Sequence, residues 1–154
     1  MEALSVKERA LKLLSRRPYS EQEIRRKLLQ KSIPEAEADE VCSWLKEQGF
    51  LDDQSYASSV VRFCISKGFG CQRVRQELFR RGVPKEFWDE ALAEMPEQND
   101  KLDRFLSARL RHPEDADERR RLSAALMRRG FSREEIRSAF SRLADTNTDL
   151  DWME

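Results

Sequence analysis

An eleven-residue segment that recurs twice further along the chain constrains the fold more than any other feature of the sequence. Ile24-Arg25-Arg26-Lys27-Leu28-Leu29-Gln30-Lys31-Ser32-Ile33-Pro34 returns as Val74-Arg75-Gln76-Glu77-Leu78-Phe79-Arg80-Arg81-Gly82-Val83-Pro84. It returns again as Leu122-Ser123-Ala124-Ala125-Leu126-Met127-Arg128-Arg129-Gly130-Phe131-Ser132, at a period of about 50 residues. The register continues downstream: Ala38 matches Trp88 and Ile136, Val41 matches Ala91 and Ala139, Cys42 matches Leu92 and Phe140, and Leu45 matches Met95 and Leu143. Upstream, Leu13, Leu14 and Tyr19 match Phe63, Cys64 and Phe69. The inward-facing positions agree and the outward ones drift, as expected of repeats that share a core plan. In the third copy the first helix, around Leu102, Phe105, Leu106 and Leu110, is displaced by an insertion over residues 112–117.

Within each copy the apolar residues follow a helical period. Val6, Ala10, Leu13 and Leu14 form one stripe; Ser20 and Glu23 form a capping box that opens a second helix with Ile24, Leu28 and Leu29 inward; Ala38, Val41, Cys42 and Leu45 face inward on a third. Gly49, Gly82 and Gly130 each follow an amphipathic run and precede an apolar residue, the pattern of a left-handed helix cap. Gly68 and Gly70 bracket a turn, and Pro34 and Pro84 sit just before acidic helical segments, where a first-turn proline loses no hydrogen bond. No segment alternates apolar and polar residues at strand length, and no Asn-Gly or Asp-Gly hairpin occurs. The expected fold is all-α: three tandem three-helix repeats of helices about 10–15 residues long, over 1–50, 51–97 and 98–145, with an acidic, flexible tail over 146–154. Each repeat is too small to bury a core alone, so the repeats should stack as an elongated, curved helical array.

Composition narrows function. The chain has 154 residues and 18.2 kDa, too little for a two-domain cofactor enzyme. Charged residues reach 38% yet cancel, with 29 basic and 29 acidic, so attraction to a polyanion depends on how charge is distributed. Cys42, Cys64 and Cys71 match neither a disulfide framework nor zinc spacing, no signal-peptide pattern precedes them, and no apolar run is long enough to span a bilayer. A cytoplasmic protein without membrane contact is expected. There is no phosphate-binding Gly-x-x-x-x-Gly-Lys, no Gly-x-Ser-x-Gly, and no cysteine or serine partner near His112; the neighbouring carboxylates Asp52 and Asp53 lack a third ligand. No catalytic residue, cofactor or metal is expected. Leu51 and Phe50 are read as entering the core, Asp52 or Asp53 as a helix cap, Tyr56, Phe63 and Phe69 as core aromatics, and Cys64 and Cys71 as buried.

Charge follows the repeat. Residues 9–31 carry eight basic side chains against two acids, and residues 62–81 carry six against one. The third helices reverse sign through Glu35, Glu37, Asp39 and Glu40, then Glu86, Asp89 and Glu90. Acids at helix starts and bases at helix ends complement the macrodipole and explain part of this. They explain less well why Lys31, Arg81 and Arg129 recur at one position, beside Arg80 and Arg128. The candidate partner-binding stripe is therefore Arg25, Arg26, Lys31, Lys67, Arg73, Arg75, Arg80, Arg81, Arg128 and Arg129, able to track phosphates or an acidic protein groove. Arg80 and Arg81 should both reach solvent.

Further motifs fall in a specific order: Gly49-Phe50-Leu51-Asp52-Asp53, Tyr56-Ala57, Lys67-Gly68-Phe69-Gly70, Arg73-Val74, Glu77-Leu78 and Arg81-Gly82-Val83. Across nearly the whole chain this order resembles the RecX regulatory proteins of bacteria, with departures at 111–117 and in the tail. The resemblance implies three tandem three-helix units and a non-enzymatic modulator of the RecA recombinase. Such a protein lies along the groove of the RecA filament on DNA and restrains ATP hydrolysis, strand exchange and co-protease function, and so affects DNA repair, recombination and the SOS response. A monomer with weak, non-specific affinity for single- and double-stranded DNA is expected. The competing reading is direct, sequence-independent DNA binding, because the helices joined at Gly82 have a helix-turn-helix outline; the acids Glu86, Asp89 and Glu90 oppose it at a phosphate surface. A purely apolar docking repeat is a third class, and its binding would survive high salt.

Overall fold

The computed structural model describes the backbone of residues 5–153 and the side chains of residues 5–146. Among the described residues every regular element is helical. They are α1 (Val6–Arg16), α2 (Glu21–Gln30), α3 (Glu35–Glu47), α4 (Asp53–Ser66), α5 (Cys71–Arg80), α6 (Trp88–Leu92), α7 (Asn99–Arg109), α8 (Ala116–Arg128) and α9 (Arg133–Met153), with a 3-10 turn over Lys85–Phe87 leading into α6. The order is three helices per repeat. The stretch from 146 onward, set apart by its acids, continues α9 as far as Met153. By compactness the chain divides into two units, one of residues 1–61 and 75–94, the other of residues 62–74 and 95–154, so that α4 and α5 contribute to both.

In the first unit α1, α2 and α3 pack together. Ala10, Tyr19, Ile24, Leu28, Ala38, Val41, Cys42, Leu45 and Leu51 form its core, backed by Val6, Leu13, Leu14 and Trp44. Local sequence explains the helix starts. Ser20 accepts the Glu23 N–H while the Glu23 carboxylate accepts the Ser20 N–H, the expected capping box, and Ser5 with Glu8 repeats it at α1. Asp52 accepts the Ser55 N–H and caps α4, while Asp53 accepts the Glu21 N–H at the start of α2. These adjacent carboxylates thus serve two helix termini. Pro34 and Pro84 occupy cap positions just outside their helices and not the first turn.

The second unit packs α7 and α8 against α9 around Leu102, Phe105, Leu106, Leu126, Phe131, Ile136 and Ala139. The 112–117 insertion is closed by Glu118, whose carboxylate accepts N–H bonds from Arg111 (2.5 Å) and His112 (3.2 Å). Those bonds, the first above all, hold the Glu118 carboxyl below its ordinary range. The end of α8 also meets the start of α5: the Gly70 N–H donates to the Arg129 carbonyl (2.7 Å) and the Gln72 N–H to the Gly130 carbonyl (2.9 Å). Gly130 sits at φ 98°, and a side chain there would run into the Arg73 backbone, so glycine is required twice over at this point.

Several expectations are corrected. Phe50 is 52% exposed and Phe63 is also exposed; Leu51, Tyr56 and Cys64 are buried as expected, and Phe69 and Cys71 are half-buried. The helix expected through Met95 in the second repeat is instead a 3-10 turn over Lys85–Phe87 followed by the five residues of α6, with the Trp88 indole N–H bonding the Val83 carbonyl (2.8 Å) at its entry.

Candidate functional site

On the second helix of each repeat one recurring position stays apolar, turned outward in the second and third repeats and packed against the core in the first. Leu29, Phe79 and Met127 each follow a buried leucine, Leu28, Leu78 or Leu126, on the second helix of their repeat. Leu29 is half-buried, Met127 is exposed, and Phe79 is 73% exposed. Each is followed by the pair of polar or basic residues that ends the helix: Gln30 and Lys31, Arg80 and Arg81, Arg128 and Arg129. An exposed apolar side chain at a recurring place beside cations suits a protein surface better than bare phosphate.

The candidate basic residues fall six in the first unit and four in the second. In the first, Arg25, Arg26 and Arg80 line a hollow of about 600 Å³ together with Phe79, Gln22, Lys85 and Trp88; Glu21 and Asp53 reach the same hollow. Arg25 bonds Asp39 (2.8 Å), which raises its pKa. Lys31 lines another hollow with Arg9, Lys12, Arg16 and Lys27, and Arg75 is exposed on α5. Both Arg80 and Arg81 bond Glu77, at 2.7 and 3.3 Å.

Their environments differ. The Arg80 side chain is 71% exposed, as expected, but that of Arg81 is only 24% exposed, and its carbonyl accepts the Ser20 hydroxyl (2.5 Å). Arg81 is therefore part of the packing of the first unit, a correction to the expectation that it reaches solvent. Glu77 itself is 7% exposed. Burial pushes its carboxyl up, and the two guanidiniums more than offset this, holding it below its ordinary value. Arg81 has the mirror balance: burial lowers its pKa, while its hydrogen-bonding and charged partners raise it by more.

In the second unit Arg128 is exposed, and the Arg73 guanidinium stacks over the Phe69 ring at 4.6 Å. Lys67 and Arg129 line a hollow of about 440 Å³ with Lys101, Arg104, Phe105 and Arg109. The last four were not among the expected site residues. Their sequence signal is the i, i+4, i+8 spacing of Lys101, Phe105 and Arg109 with Arg104 beside it, on the helix whose register the insertion obscures.

Among the described residues no three of His, Cys, Asp and Glu come together as metal ligands, and no helix is long and apolar enough to cross a membrane.

Comparison with known proteins agrees with the repeat. The first, second and third three-helix domains of RecX match residues 7–45, 52–92 and 97–140. The chain is 40% identical over 141 residues to the regulatory protein RecX of Trichlorobacter lovleyi, covering 86% of this chain and 92% of that relative. It is 38% identical over 152 residues to that of Leptothrix cholodnii, covering 96% and 94%. The crystal structure of RecX from Lactobacillus salivarius superposes with a TM-score of 0.79 at 22% identity, over 90% of this chain and 94% of that one, a likeness of fold. A second crystal structure, of a regulatory protein RecX, superposes with a TM-score of 0.72 at 26% identity, over 86% and 70%. With its three repeats matched in order by the three domains of one family, this chain belongs to the RecX family of regulatory proteins.

Proposed function

We propose that the chain binds the RecA recombinase filament assembled on DNA and restrains its ATPase, strand-exchange and co-protease activities, tempering recombination, DNA repair and the SOS response in the cytoplasm. It acts as a monomer and without a cofactor. The observation that carries this reading is the recurring outward pair of an apolar side chain and a neighbouring arginine, Phe79 with Arg80 and Met127 with Arg128, in a chain whose relatives are called regulatory proteins. A repeated binding element suits a partner that is itself a helical polymer of identical subunits. No bond needs to be made or broken: a ligand that binds one filament conformation more tightly than another shifts the population by that difference in affinity.

Contact with DNA is secondary in this reading, weak and indifferent to sequence. The helix that would enter a groove after Gly82 is the five-residue α6, with Asp89 and Glu90 exposed on it, too short and too acidic to read bases. A pull-down of purified RecA by the immobilised chain, with and without single-stranded DNA, tests the proposal. RecA should be retained best in the presence of the DNA and released as salt rises. A footprint on one duplex sequence that persists at high salt, with no retention of RecA, would favour the DNA-binding reading instead.

A further inference from the structure

The hollow in the second unit is lined by five cations, Lys67, Lys101, Arg104, Arg109 and Arg129, and by no carboxylate. Four of the five are held in place by groups that leave their charge intact. The Lys101 ammonium donates to the Ile65 carbonyl at the end of α4 (3.2 Å), and Lys67 lies over the Phe63 ring (5.6 Å). Arg109 and Arg129 lie over the Phe105 ring, at 4.1 and 4.8 Å. Several other arginines are paired with carboxylates: Arg25 with Asp39, Arg80 and Arg81 with Glu77, Arg142 with Asp103. Even Asp103, on the same helix as Lys101 and Arg104, is engaged by Arg142. Five like charges around one concavity repel one another, and aromatic and carbonyl contacts fix them without relieving that repulsion. An anion of high charge density would.

From this geometry we infer that the hollow is a binding site for linked phosphate groups. Its volume, about 440 Å³, suits a nucleotide-sized ligand. Three guanidinium forks match the paired oxygens of phosphates, and a chain of phosphates brings several charges into a space where carboxylates bring one each. The fixed positions of the cations reduce the ordering needed on binding. The phosphates can come from a nucleic-acid strand or from a free nucleotide. The inference does not depend on the filament reading, and its test contains no recombinase.

The full chain is titrated with a fluorescent oligothymidylate, with inorganic triphosphate as competitor and polyglutamate as a carboxylate probe. The variant Lys67→Gln/Arg104→Gln removes two exposed cations of the hollow, and Arg121→Gln/Arg137→Gln removes two exposed cations of the same unit outside it. Circular dichroism confirms that both fold; Arg129→Gln serves as a second hollow variant. The hollow variants should weaken phosphate binding about tenfold or more, equivalent to roughly 1.4 kcal/mol or more. They should also flatten the salt dependence by about 0.7 per lost strand contact, while the outside pair changes little. Displacement by triphosphate supports the site with free nucleotide as a ligand; binding of the strand without displacement supports it with the strand as the source. Equal losses in both double variants, no binding of either phosphate probe, or polyglutamate bound as tightly and lost in the same variants would overturn it.

Discussion

Two arginines converge on Glu77, and the acid response of the fold follows from how deeply that carboxylate is buried. Its folded pKa lies below the ordinary 4.5, so the stabilisation is fully present above that value and is lost as pH falls through the folded pKa. Glu77→Gln should lower stability at neutral pH by about 1–3 kcal/mol, because a partly buried guanidinium loses its charged acceptor. The gap from wild type should then close as the solution is acidified and the wild-type carboxyl takes up its proton. Chemical denaturation across acid pH measures this, and a gap that stays constant would contradict the pairing. A second residue-scale prediction concerns Ser32, which occupies the left-handed region at φ 65° where Gly82 and Gly130 stand in the other repeats. Left-handed backbone costs a side-chain-bearing residue about 1–2 kcal/mol, and glycine's greater freedom when unfolded returns about 0.5–1 of that. Ser32→Gly should therefore stabilise the protein by about 0.5–1 kcal/mol, seen as a higher melting temperature. The thiols are distinguished by burial: Cys42 and Cys64 are buried, Cys71 is half-buried, and burial pushes Cys42 up to about 11. A thiol reagent near neutral pH should modify Cys71 first and reach the other two only on unfolding.

At the scale of elements, what could be read ahead of the structure was what depends on local period and local caps. The Ser20 and Glu23 capping box lies within one turn of sequence, and the stripe of Ala38, Val41, Cys42 and Leu45 repeats at helical spacing, and both stand as expected. Side-chain destinations set by distant partners were not legible. The Arg81 side chain is only 24% exposed and its main-chain carbonyl accepts the hydroxyl of Ser20, 61 residues away, yet nothing near Arg81 in sequence distinguishes it from Arg80. The 3-10 entry to α6, where the Trp88 indole bonds the Val83 carbonyl, is likewise invisible to helical period. Of the site, the recurring Arg80 and Arg128 were legible from the repeat, whereas Lys101, Arg104 and Arg109 were hidden because the insertion removes their helix from register. The junction of α5 with α8 gives the test at this scale. Gly130→Ala adds to its backbone cost a clash with the Arg73 main chain, which cannot swing aside. Gly49→Ala, at φ 80° in open space, carries the backbone cost alone, about 1–2 kcal/mol. The alanine at 130 should thus be clearly the more destabilising of the two in urea denaturation, and equal losses would show that the close approach is not rigid.

For the whole molecule, the central claim is that exposed repeat positions bind a recombinase filament and that their charge drives the contact. Arg80 and Arg128 are both exposed, so Arg80→Gln/Arg128→Gln should cost little folding stability; Glu77 keeps Arg81 as a partner. Reversing Glu86 and Glu90 to Lys, on the acidic side of the second repeat, is the matched control and should spare inhibition. The decisive measurement is a titration of RecA-dependent DNA strand exchange with each protein. The account predicts that the arginine variant melts as wild type yet needs about tenfold or more protein for half-inhibition; a variant that melts as wild type and inhibits at wild-type concentrations would contradict it.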